Sequence, residues 1–236
     1  MKIMGLCASW ILFCSSAAIA AAPATLPATE PDAADDSGLV IAYAGPPPSD
    51  GNVTTRTEAE GGRCVSDPSI VEYAFGPEST GLTTSAHPKL VWYLNKPLDL
   101  KVQINLTDPQ RHTTVHLWES STRVPAGIHI LDTSNSTPLE LGVEYKWTVQ
   151  IVNDPSDPSK DMYSTGMIRR VEPSDPNAAS HAFYDAMGAS ASKLVAARTS
   201  GDAGRTADAQ NALSQLLTLA NLPAIEEFSA SVDAGK

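Results

Sequence analysis

PLELGVEYKWTVQIV, Pro138–Val152, decides the fold. Leu141 and Gly142 make a tight corner, and glycine supplies the backbone freedom that a corner needs. Tyr145, Trp147, Val149 and Ile151 then fall on alternate positions. On an extended chain they all face one way. A Tyr just past such a corner can return its hydroxyl to the corner backbone and pin the entry of a late strand. The stretch therefore predicts a strand buried on one face and fastened at its start.

The chain on either side repeats this period. Leu98, Leu100, Val102, Ile104 and Leu106 alternate with Asp99, Lys101, Gln103, Asn105 and Thr107, which predicts a strand over Leu98–Thr107 with one wet face. Lys89–Asn95 reads as another strand, with Leu90, Trp92 and Leu94 on one side and Val91 and Tyr93 on the other. Asn95-Lys96-Pro97 between them reads as a hairpin turn. Thr113–Trp118 and Gly127–Leu131 are shorter strands. Tyr145–Val152 and Tyr163–Val171 flank the Pro- and Ser-rich segment Asp154–Asp161 as a long hairpin. Six or seven short strands over roughly 100 residues match an immunoglobulin or fibronectin-like antiparallel β-sandwich, expected over residues 63–172.

Beyond Val171 the period changes. Asp175-Pro176 reads as an N-cap followed by Pro at the first helical position. Phe183, Met187, Ala191 and Leu194 mark one helix face. Thr199-Ser200-Gly201-Asp202 breaks the helix, and Ala209, Leu213, Leu216, Leu217 and Ala220 mark a second face. Asn221 and Pro223 close it, with Ile225 and Phe228 anchoring a last turn. A C-terminal helical hairpin is expected over residues 173–236, and pattern leaves its docking open.

The N-terminus reads as a signal peptide over residues 1–20. Lys2 precedes an apolar run, Ile3–Phe13, and Ala18-Ile19-Ala20 suits cleavage after Ala20 or Ala22. The apolar run is too short to span a bilayer comfortably. Residues 21–62, rich in Ala, Pro and Asp, read as a disordered linker, with Leu39–Tyr43 as a possible edge strand. The expected destination is the periplasm or the exterior by the Sec route, with no stable membrane insertion after cleavage. Cys7 and Cys14 leave with the leader, which strands Cys64 as a single thiol. The formal charge of −11 repels phosphate backbones and anionic headgroups, so nucleic acid is an unsuitable partner.

Titratable residues give no convergent chemistry. On a strand, His112 and His116 stand roughly 13 Å apart, whereas metal bonds from His are about 2 Å. His116 could meet His129 across strands, with neither Cys nor clustered carboxylates to complete a site. Ser85 and His87 resemble hydrolase parts, yet no Gly-x-Ser-x-Gly accompanies them. Asp154, Asp157 and Asp161 lack the glycine of a calcium loop and are interrupted by Pro155 and Pro158. No catalytic residue, metal ligand or cofactor is expected. Trp118 and Tyr184 are the candidate exposed binding aromatics, and Arg169-Arg170 the candidate carboxylate clamp. Trp92 and Trp147 read as core.

Four motifs resemble a bacterial family known as domain of unknown function 928. They are Gly61-Gly62-Arg63-Cys64, the run Gly81–Leu94 (GLTTSAHPKLVWYL) with Pro88 leading into Trp92, the corner Leu139–Trp147 with Gly142, Tyr145 and Trp147, and Phe183-Tyr184-Asp185-Ala186. Asp154-Pro155 and Arg170-Val171 fit the same order. Phe183 stands where a Trp is expected. The resemblance spans roughly Gly61–Ile225 and implies an exported protein with a shared fold and no established activity. The expectation is an exported, non-catalytic module that binds a protein of the bacterial envelope. A carbohydrate or cell-wall binder using Trp118, and a hydrolase, are the alternatives.

Overall fold

The computed structural model describes residues 69–120, 123–175 and 182–224, all within one compact unit. The leader, the linker with Leu39–Tyr43, Cys64, Pro176, Ile225 and Phe228 lie outside them. Among the described residues eight strands run in chain order: β1 Glu72–Ala74, β2 Gly81–Thr83, β3 Lys89–Leu94, β4 Lys101–Asp108, β5 Thr113–Glu119, β6 Gly127–Asp132, β7 Glu144–Val152 and β8 Met162–Arg170. Two helices follow, α1 Phe183–Ser200 and α2 Ala203–Leu219.

The strands form a three-stranded sheet in the order β1-β3-β6 and a five-stranded sheet in the order β2-β8-β7-β4-β5. All pairs are antiparallel except the short β2–β8 pair. The alternation read from the sequence sets the inner faces. Val102, Ile104 and Leu106 of β4 and Tyr145, Trp147, Val149 and Ile151 of β7 are buried in one apolar cluster with Leu90, Trp92 and Ile128 of the other sheet. Fully burying one such side chain contributes about 1.5–3 kcal/mol.

The corner forms as its sequence requires. Gly142 adopts φ +74°, in the left-handed region that favours glycine. The Tyr145 hydroxyl accepts the Glu140 backbone N–H at 3.1 Å, and the Gly142 N–H donates to the Arg170 carbonyl at 2.8 Å. The β7–β8 hairpin runs in register from Glu144↔Arg169 to Ile151↔Met162.

Asn95–Pro97 does not close a hairpin. β3 and β4 belong to different sheets, so the chain crosses between layers there. Asn95 is tied sideways: its side chain takes the Val71 N–H at 2.8 Å and donates to the Ser69 carbonyl at 2.8 Å. Leu98 pairs with Val124 by two backbone bonds instead of extending β4.

The Asp175-Pro176 helix start runs into residues 176–181, outside the described residues. The described helix α1 has Ala182 at its N-cap, without a side-chain bond, and the Asp175 N–H donates to the Glu172 carbonyl at 3.1 Å. The expected punctuation at the hairpin turn holds. Gly201 ends α1 at φ +70°, and Asp202 caps α2 through the Arg205 N–H. At the end of α2, Asn221 turns left-handed while Leu222 N–H reaches the Leu217 carbonyl at 2.8 Å, the Schellman arrangement that satisfies orphan carbonyls. α1 docks against β2, β3 and β6, and α2 packs on α1.

Candidate functional site

Three of the motifs that carry the family resemblance, those at Gly81–Leu94, Leu139–Trp147 and Phe183–Ala186, meet at one junction, while Gly61–Cys64 lies outside the described residues. Tyr184, in the first turn of α1, is fully buried. Its hydroxyl donates to the Met167 carbonyl at 3.0 Å and accepts the Trp147 indole N–H at 2.8 Å. Gly81 and Gly166 leave space for it, because a Cβ at either would overlap the Tyr184 or Trp147 ring. Next to it, Asp185 accepts the hydroxyls of Thr83 and Thr84 and the Thr84 N–H, the last at 2.8 Å. These residues lock helix to sheet. Tyr184 is therefore an interior anchor, not the exposed binding aromatic expected from sequence. The missed signal was its phase, since it precedes Met187 by three positions and Ala191 by seven and so shares their stripe.

Arg169 and Arg170 are also occupied. Arg169 pairs with the buried carboxylate of Glu144, which also takes the Thr80 hydroxyl. Arg170 donates to the Leu139 carbonyl at 2.8 Å. They brace the corner and are not free to clamp a carboxylate together.

Ser85 and His87 do not form a catalytic couple. The Ser85 hydroxyl oxygen accepts the His87 backbone N–H at 3.1 Å, and His87 Nδ1 donates to the Thr133 carbonyl at 3.1 Å. Thr133 in turn donates to the Pro88 carbonyl at 2.7 Å. Asp154 and Asp157 hold Ser156, Ser159 and Lys160, and Asp161 takes the Asn153 N–H and the Gln150 amide. Among the described residues no three His, Cys, Asp or Glu side chains are grouped to hold a metal ion.

The remaining candidate, Trp118, lines a cleft of about 350 Å³ on the flank where β5 and β6, edge strands of different sheets, face each other. In β5, His116 and Trp118 are the register partners of the buried Leu106 and Ile104, so they turn inward. Across the cleft the His129 ring stacks on Trp92 with centroids 4.3 Å apart. His129 Nε2 donates to the Pro125 carbonyl at 2.9 Å, which fixes the ring. His116 Nε2 is buried with no hydrogen-bond partner, and burial lowers the His116 pKa, favouring neutral imidazole. Asp132, Ser134 and Asn135 stand exposed at the mouth. Bonds from the Ser134 backbone N–H and hydroxyl hold Asp132 below the usual carboxylate range. The sequence offers His116 and His129 as a pair that could meet across strands. β5 and β6 lie in different sheets and share no ladder, so no register in the sequence places the two rings in one cleft.

Glu72 is the other unusual group. It is fully buried between the sheets, where one oxygen takes the Ser164 hydroxyl and the other has no partner. Burial pushes its pKa up to about 8, so the carboxyl is mostly protonated at neutral pH.

No curated protein and no solved structure matches the chain. The residues that seat α1 on the sandwich are those of the motifs noted in the sequence, and the family described as Domain of Unknown Function (DUF928) matches residues 55–227, well over half of the chain, so the chain belongs to that family.

Proposed function

We propose that the protein is an exported, non-catalytic module with an immunoglobulin-like sandwich that binds a protein of the bacterial envelope. The strand orders β1-β3-β6 and β2-β8-β7-β4-β5 and the Tyr145 corner bond support the fold reading. The Lys2 and Ile3–Phe13 leader pattern supports export. The occupied state of Ser85, His87, Arg169 and Arg170 supports a binding role over a hydrolytic one.

One observation carries the partner reading. β5 is a seven-residue strand at the end of its sheet, and it holds out Leu117 at 53 % exposure. An uncovered edge is a template for strand addition, and an extended segment of a partner gains main-chain hydrogen bonds there. A charge on an edge strand blunts such pairing. An envelope extract passed over immobilised protein should yield a partner, identified by mass spectrometry, whose recovery falls sharply on Leu117→Lys. Equal recovery by wild type and variant, or none above background, would refute the edge as the contact.

A further inference from the structure

We propose that the cleft between β5 and β6 binds one neutral sugar ring. This goes beyond the strand-edge reading and does not depend on it, since it uses inward side chains of β5 rather than its outer backbone. The size is suitable: about 350 Å³ lies at the lower end of the roughly 300–1,000 Å³ typical of small-molecule sites. The chemistry of the walls is amphipathic. Trp118 is half-buried on one side, and the Trp92–His129 stack is fixed on the other by the Pro125 carbonyl. Aromatic walls accept the C–H face of a ring.

The mouth supplies the complement to hydroxyls. The Asp132 carboxylate is oriented by Ser134 and stays ionised, so it accepts two hydrogen bonds. Asn135 offers both donors and an acceptor. His116, held neutral by burial and unpartnered at Nε2, leaves polar capacity in the wall that no described residue uses. A hydrocarbon at the mouth would cover Asp132 and Asn135 without bonding them, and would leave His116 Nε2 as unpaired as it is now.

Charge narrows the class further. Among the described residues no Lys or Arg lines the cleft, and Asp132 is the one carboxylate in its lining. Lys89, the register partner of Asp132, sends its ammonium to Ser192 at 3.1 Å, outside the lining, and its charge adds to the Ser134 bonds that hold the Asp132 carboxylate ionised. On a chain of net charge −11, an acidic sugar meets repulsion with nothing in the lining to offset it.

The test uses the ¹⁵N-labelled chain and the methyl glycosides of glucose, galactose, mannose and N-acetylglucosamine, each raised into the millimolar range. Methyl glucuronide and choline serve as charged controls. At least one neutral glycoside should saturably shift the Trp118 indole signal while both controls leave it in place. Trp118→Ala and Asp132→Ala should each weaken that binding about tenfold, equivalent to ~1.4 kcal/mol. Asp132 is exposed, so its variant carries the test if Trp118→Ala disturbs the fold. The proposal fails if none of the four glycosides gives a saturable shift, if binding is undiminished in Asp132→Ala, or if glucuronide or choline binds instead. Loss of the partner on Leu117→Lys with sugar binding retained would separate this site from the strand edge.

Discussion

Glu72 occupies a place where a charge cannot be solvated, and its environment links stability to pH. Its carboxyl has an ordinary value of 4.5 and is pushed up to about 8 by burial. Below the ordinary value both folded and unfolded chains keep the proton, and the stability contributed by this group is complete. As pH rises through the window the unfolded chain releases the proton and the folded chain does not. Stability therefore falls by ~1.4 kcal/mol per pH unit until the folded carboxyl ionises. Across the window the loss is on the order of 4–5 kcal/mol. Urea unfolding at the two ends should show this loss in wild type and not in Glu72→Gln, which keeps the shape without the charge. Parallel pH profiles would remove the assignment. Tyr145→Phe is the second single-residue case: it deletes the hydroxyl that accepts the Glu140 N–H and should cost about 1 kcal/mol by the same assay.

The decisive unit among the elements is the junction of α1 with β2, β7 and β8. Tyr184→Phe keeps the ring and removes both hydroxyl bonds, leaving the buried Trp147 N–H and Met167 carbonyl unpaired. The expected destabilisation is ~1–3 kcal/mol by thermal or urea unfolding. Gly81→Ala pushes a methyl into the Tyr184 ring and should cost a comparable ~1–3 kcal/mol through overpacking.

Legibility also divided by element. β4, β7 and the buried faces of both helices are readable because one side of each is buried and the other more open, so composition alternates with the structural period, whereas β8, buried from Ser164 through Ile168, is legible through its hairpin with β7. β1 and β2 left no pattern: each has three residues, set among Gly76, Pro77 and Gly81. β3 is buried at five of its six positions, so its apolar run carried no phase. Nothing in Asn95-Lys96-Pro97 told a crossing between sheets from a turn within one. Trp118 was singled out from its neighbours, but the cleft around it needed tertiary contacts that no local window contains.

At the scale of the molecule, stability is unevenly spread. α2 buries Ala209, Leu213 and Leu217 and rests on α1, whereas β4 and β7 lie inside the larger sheet. Amide hydrogen exchange should find α2 opening well before β4 and β7, as expected for a unit with fewer packed neighbours. Uniform protection across both would contradict that order. Residue 184 follows all eight strands in the chain, yet its phenol completes the space beside Gly81 and Trp147. Cut short before Tyr184, the chain leaves the Trp147 indole without that acceptor, and its sheets should collapse without packing tightly. A chain stopped at Val171 should bind a hydrophobic dye and lack near-ultraviolet dichroism, while the full chain shows the reverse.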